Sequence, residues 1–174
     1  MKQLAYTTLL IWALMSLFAC NPARQVKKYD YLTKDGKGKT APAGANREVQ
    51  KVVNTAKSYI GTPYKYGGMS KRGMDCSGLV YTSYKSINKE LPRTTTLLSQ
   101  SGQKVSRNQL KTGDLVFFNA KGRGNKINHV GLVVSVRGNK VEFVHSTTSR
   151  GVRIDQLNEG YWSSKFRKAV RVNS

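Results

Sequence analysis

The stretch Asn128-His129-Val130-Gly131-Leu132-Val133-Val134-Ser135-Val136-Arg137-Gly138-Asn139-Lys140-Val141-Glu142-Phe143-Val144-His145 decides how this chain is read. Val130 to Val136 is almost continuously apolar and rich in β-branched residues, which fit a pleated surface. Arg137-Gly138-Asn139-Lys140 is turn chemistry, and Val141 to His145 reads as the returning strand. The result is a β-hairpin with a histidine at the start of one strand and at the end of the other. The chain has 2 histidines, and both are in this hairpin.

Strand neighbours point to opposite faces, and directly opposed residues share a face. With a two-residue loop at Gly138-Asn139, His145 falls opposite Leu132 and on the face away from His129. With a three-residue loop at Gly138 to Lys140, His145 falls opposite Val133 and shares the His129 face. Joint action of the two imidazoles therefore requires an odd loop or a bulge.

Outward from the hairpin, Leu115-Val116-Phe117-Phe118 is a short apolar strand after the Gly113-Asp114 turn. Val152 to Ile154 and Lys168 to Val172 suggest two more strands. Upstream the period changes. Val49, Val52, Val53, Ala56 and Ile60 recur at helical spacing, predicting a helix from Glu48 to Ile60 that Gly61 and Pro63 stop. Asp75 is placed to cap a second helix, Cys76 to Asn88, with Leu79, Val80, Tyr84 and Ile87 as its buried stripe. Leu91-Pro92-Arg93-Thr94 turns into a short helix near Thr95 to Gln100. Helices first and antiparallel strands after imply an α+β domain.

The N-terminus carries a different signal. Lys2 precedes an uncharged, mostly apolar run from Leu4 to Ala19, too short to span a bilayer comfortably, and the run ends at Cys20. This resembles a bacterial lipoprotein signal, which implies removal of residues 1–19 and diacylglycerol on the sulfur of Cys20. Asn21 is not the aspartate associated with inner-membrane retention, so an extracytoplasmic, lipid-anchored protein is expected, at the outer membrane if the host is Gram-negative. Residues 20–46 read as the lipidated cysteine and a polar tether with Pro22 and Pro42. Residues 47–174 are enough for one core.

Loss of Lys2 leaves 29 Lys+Arg against 9 Asp+Glu. An exported, anchored protein rarely meets nucleic acid, so the charge points away from DNA or RNA and leaves two readings open: attraction to anionic envelope polymers or lipids, or a plain basic surface coat. With Cys20 lipidated, Cys76 has no partner for an internal disulfide and is a lone thiol.

Cys76 on the first turn of a helix beside a glycine-rich loop is a candidate nucleophile, because the unpaired N–H groups and the helix dipole favour thiolate. His129 is the candidate base and His145 the candidate orienting group. Zinc is disfavoured, because these three lack close ligand spacing.

The ordered set Gly61-Thr62-Pro63-Tyr64-Lys65-Tyr66-Gly67-Gly68, Asp75-Cys76-Ser77-Gly78-Leu79-Val80, Leu91-Pro92-Arg93-Thr94, Gly113 to Phe118, Asn128-His129-Val130-Gly131-Leu132 and Val144-His145-Ser146 resembles the NlpC/P60 family of cell-wall cysteine peptidases. The resemblance covers about residues 48–172. It implies a papain-like fold with N-terminal helices packed on a central antiparallel β-sheet. It also implies hydrolysis of peptidoglycan stem peptides, commonly between γ-D-glutamyl and a diamino acid, with no metal or organic cofactor. By the same resemblance Cys76, His129 and His145 are catalytic and Tyr64 hydrogen-bonds near the thiolate or substrate. Asp75 and Ser77 hold a stem-peptide amine, and Arg93 supports the groove or binds a carboxylate. Met74 stands where an aromatic is frequent in the family, and the interval from His129 to His145 is somewhat long for it. A monomer is expected. Two rivals stay open: a papain-like amidase or acyltransferase, distinguished by an apolar tunnel, and a non-catalytic wall-binding lipoprotein.

Overall fold

A computed structural model describes residues 43–120, 122, 124–158 and 160–172. The expected signal segment, Cys20 and most of the expected tether lie outside the described residues.

The first helix, α1 (Ala43–Lys57), begins earlier than Glu48 and ends at Lys57. Its last turn tightens: the N–H groups of Tyr59 and Ile60 bond back three residues, to the carbonyls of Ala56 and Lys57, and Gly61 adopts a positive φ of 88°. A small ribbon, β1 (Met69–Ser70) and β2 (Gly73–Met74), precedes α2 (Cys76–Lys85). Helix α2 is one turn shorter than expected, closing with Asn88 at φ 59°. Then come α3 (Thr95–Leu98), β3 (Gln103–Val105), a 3-10 turn at Arg107–Gln109, β4 (Leu115–Phe118), β5 (His129–Arg137), β6 (Lys140–Thr147), β7 (Gly151–Gln156), α4 (Gly160–Lys165) and β8 (Phe166–Arg171).

Six strands form one antiparallel sheet in the order β3-β8-β4-β5-β6-β7. The architecture is α+β, with the N-terminal helices packed against this sheet, because both of its faces are apolar. Leu115, Phe117, Val130, Leu132 and Val144 join Val52, Val53, Leu79 and Val80 of α1 and α2 in one cluster. Val116, Phe118, Val133 and Phe143 form a second cluster on the other face, which Trp162 and Phe166 help cover. A strand covered on both faces reads as a continuous apolar run, which is why β4 and β5 do.

The hairpin of β5 and β6 has the two-residue loop, with Arg137 opposite Lys140, and also a bulge. Val133 pairs with Phe143 but Ser135 pairs with Glu142, so Val134 is the extra residue. Beyond the bulge Leu132 lies opposite Val144. The one-residue slip carries His145 to the level of Gly131, on the face that holds His129.

Candidate active site

Cys76 is the first residue of α2, and its position is set by the residue before it. Asp75 Oδ1 accepts the Gly78 N–H at 2.6 Å, closing the helix start, and Asp75 Oδ2 accepts the Gly67 N–H at 2.7 Å, tying the helix to the glycine-rich loop. Arg93 grips the same carboxylate from the other side, with Nη1–Oδ1 and Nη2–Oδ2 distances of 3.1 and 3.0 Å. Ser77 Oγ donates to Asp75 Oδ1 at 3.0 Å and accepts from Arg93 Nη1 at 2.8 Å. Burial would raise the Asp75 carboxyl, but Arg93 and the Gly78 N–H hold it below its ordinary value. Asp75, Ser77 and Arg93 thus satisfy one another and build the wall beside Cys76.

The Cys76 thiol lies against the start of β5. Burial pushes it up, outweighing the Val130 N–H, the Thr95 hydroxyl and the Ser77 N–H, which all favour thiolate. The helix start therefore does not by itself bring the thiol below its ordinary value. Burial, together with the charges of Cys76 and Asp75, pushes the Tyr64 phenol up, so it remains a hydrogen-bond donor facing the same cleft.

His129 and His145 meet as the bulge requires. His129 Nε2 and His145 Nδ1 are 2.8 Å apart. His145 is fully buried, and burial lowers its pKa although Asp155 opposes this. His145 Nε2 lies 3.0 Å from Asp155 Oδ2, and the Trp162 indole N–H donates to that oxygen at 3.0 Å. Arg153 Nε donates to Asp155 Oδ1 at 2.7 Å. Burial alone would raise the Asp155 carboxyl; His145, Trp162 and Arg153 bring it down to about 2. Trp162 also stacks on His129, with ring centroids 5.4 Å apart and planes within 20°.

Cys76, His129, Tyr64, Asp75, Ser77 and Arg93 all line one cleft of about 1170 Å³. His145 stands behind His129, buried under it. Among the described residues no group of His, Cys, Asp or Glu is arranged to hold a metal ion.

Asp155 and Trp162 are the site residues that sequence reading passes over. The expected strand stopped at Ile154, one residue short of Asp155. The signal was a carboxylate alternating with Arg153 in a strand beside the histidine-bearing one. His145 pairs with Arg153 and Phe143 with Asp155, which puts both β7 residues on the histidine face. Trp162 lies on a helix of six residues with no apolar periodicity to announce it.

The profile of the NlpC/P60 family matches residues 61–171. The chain is 40% identical over 125 residues to the Murein DD-endopeptidase MepS/Murein LD-carboxypeptidase of Escherichia coli K12, covering 71% of this chain and 63% of that protein. It is 37% identical over 134 residues to the Probable endopeptidase NlpC of the same strain, covering 76% and 79%. A crystal structure of an NlpC/P60 family protein from Bacillus cereus ATCC 10987 superposes with a TM-score of 0.64 at 32% identity, over 76% of this chain and 41% of that one.

Proposed function

We propose that this chain, which belongs to the NlpC/P60 family, is a cysteine endopeptidase that hydrolyses peptidoglycan stem peptides at the γ-D-glutamyl–diamino acid bond. The observation that carries the reading is that Cys76, at a helix start, lines one cleft with His129, whose Nε2 is 2.8 Å from the buried His145.

In this mechanism His129 takes the Cys76 proton as the sulfur attacks the amide carbonyl. Nε2 of His129 faces His145, and Nδ1 is the nitrogen proposed to receive the proton. The Cys76 backbone N–H, at a helix terminus with no intrahelical acceptor, and the Tyr64 hydroxyl stabilise the oxyanion. His129 then protonates the departing amine, and the thioester is hydrolysed by water that His129 activates. His145 orients the His129 ring. Asp75 and Ser77, which line the cleft, are the proposed site for a substrate amine, and Arg93 supports them.

The cleft walls include Asp75, Ser77, Thr95, Asn128, Arg150 and Tyr64, with Tyr66, Met69 and Tyr161 among the apolar surfaces. An open cleft that carries these polar and charged groups suits a peptide better than the enclosed apolar tunnel a lipid acyl chain would need. Cys20 is the proposed lipid attachment, holding the domain at an extracytoplasmic membrane surface, the outer membrane in a Gram-negative host. The basic excess supplies attraction to anionic envelope polymers.

The test is product mass spectrometry on defined muropeptides. Release of the diamino-acid fragment from a monomeric stem is expected. The MepS name states a DD-endopeptidase, so conversion of cross-linked dimers to intact monomers, with no cut in the stem, would overturn the bond assignment. Equal cleavage by wild type and Cys76→Ala would overturn the cysteine mechanism.

A further inference from the structure

Asp155 does more than fill a gap behind His145. Its side chain is 11% exposed, it accepts from Arg153 Nε and Trp162 Nε1, and the Arg153 cation beside it keeps it ionised. An ionised carboxylate cannot donate. The proton in the contact with His145 must therefore reside on His145 Nε2.

The consequence runs down the chain of bonds. A neutral imidazole protonated on Nε2 offers Nδ1 as an acceptor, so the hydrogen in the 2.8 Å contact comes from His129 Nε2. Neutral His129 then carries its lone pair on Nδ1, the nitrogen that does not face His145, and His129 lines the same cleft as Cys76. The opposite arrangement also satisfies the His129–His145 bond: His145 protonated on Nδ1, His129 accepting on Nε2 and protonated on Nδ1. That arrangement blocks proton uptake from Cys76. The two differ in what the group beyond His145 Nε2 accepts or donates.

We infer that Asp155 is a positioning residue whose carboxylate, held by Arg153 and Trp162, selects the tautomer of both imidazoles and makes His129 Nδ1 the base. This rests on the peptidase reading for the roles of Cys76 and His129, but the tautomers themselves are observable without substrate. The charged and titratable groups around the pair are Cys76 from α2, His129 from β5, Arg150 from the β6–β7 turn, and Arg153 and Asp155 from β7.

Arg153 makes the inference sharply testable. In Asp155→Asn the amide oxygen is drawn to the Arg153 cation, which outweighs the neutral Trp162 N–H, so the NH₂ turns toward His145 Nε2 and the Trp162 bond is lost. That nitrogen must then accept, and both rings switch. Removing the cation as well, in Asp155→Asn with Arg153→Met, lets the oxygen turn back to His145 and Trp162.

The experiment is ¹⁵N NMR of the imidazole nitrogens, simple to assign with 2 histidines in the chain, together with stem-peptide kinetics. Wild type should show Nε2–H on both rings. Asp155→Asn should show Nδ1–H and lose about 100-fold or more in kcat with little change in KM, the size expected of a wrong tautomer. The double variant should regain Nε2–H and about tenfold or more in kcat over Asp155→Asn. A wild type with Nδ1–H on either ring, an Asp155→Asn protein with unchanged tautomers, or a double variant no better than the single would each overturn the inference. Correct tautomers in a protein that cleaves no stem peptide would instead overturn the peptidase reading and leave the tautomer assignment standing.

Discussion

Gly131 and Phe143 occupy adjoining space so closely that a Cβ at position 131 would enter the Phe143 ring. The Phe143 ring in turn packs on His145, with centroids 4.7 Å apart. The absence of a side chain at 131 lets the second histidine sit at its level on the sheet. A glycine inside a strand marks such a close approach.

Gly131→Ala should therefore act on both stability and chemistry. Overpacking of this kind costs about 1–3 kcal/mol. Urea denaturation should show that loss, and kcat should fall as Phe143 is displaced against His145. Wild-type stability in Gly131→Ala would mean the ring moves aside freely.

The Arg93–Asp75 pair should resist conservative exchange. Arg93→Lys keeps the charge but cannot reproduce the paired contacts to both oxygens plus the Ser77 bond. With the Asp75 side chain only 10% exposed, loss of these bonds should destabilise by about 1–3 kcal/mol, measured as a lowered urea midpoint. The same variant should weaken substrate binding, seen as a raised KM.

Trp162 separates two roles of one side chain. Trp162→Phe keeps a ring over His129 and removes the N–H to Asp155, and kcat should drop by about 3- to 10-fold, equivalent to one lost hydrogen bond of about 1 kcal/mol. Trp162→Ala should lose more, because His129 is also left unstacked. Equal losses in the two variants would assign the whole effect to the N–H.

Acid should destabilise the fold in two stages. Burial holds His145 below the ordinary imidazole value, so the unfolded chain binds a proton near pH 6.5 that the native state does not. Stability is therefore full above that pH and begins to fall below it. Asp155, lowered to about 2, and Asp75, also lowered, contribute stability that is present above the ordinary carboxylate value near 4. That contribution is lost as pH falls further, for Asp155 through about 2. Urea midpoints across this range should show a plateau above about pH 7, a first decline below about 6.5 and a second below about 4. Asp155→Asn should shrink the second decline.

Much of this protein is legible one segment at a time. The apolar run of β4, the hairpin turn at Gly138-Asn139, the Asp75 cap and the stripe Leu79, Val80, Tyr84 of α2 are local signals, and the structure has each of them. β3 escaped because Gln103–Val105 has three residues, two of them exposed, too short for alternation to register. The early start of α1 escaped because its first turn lacks the apolar periodicity that marks the rest.

The amino-acid sequence by itself determined the ingredients: one thiol at a capped helix start, two histidines on one hairpin, and helices followed by strands. It also determined a condition, that the histidines share a face only through an odd loop or a bulge. The tertiary structure decided how the condition is met. The bulge falls at Val134, a choice made by packing on both sheet faces and invisible in the turn residues. Tertiary structure also decided what stands behind the second histidine. Asp155 reaches His145 through strand pairing across the sheet and Trp162 reaches Asp155 from a helix beyond it, and such long-range contacts leave no periodicity in the chain.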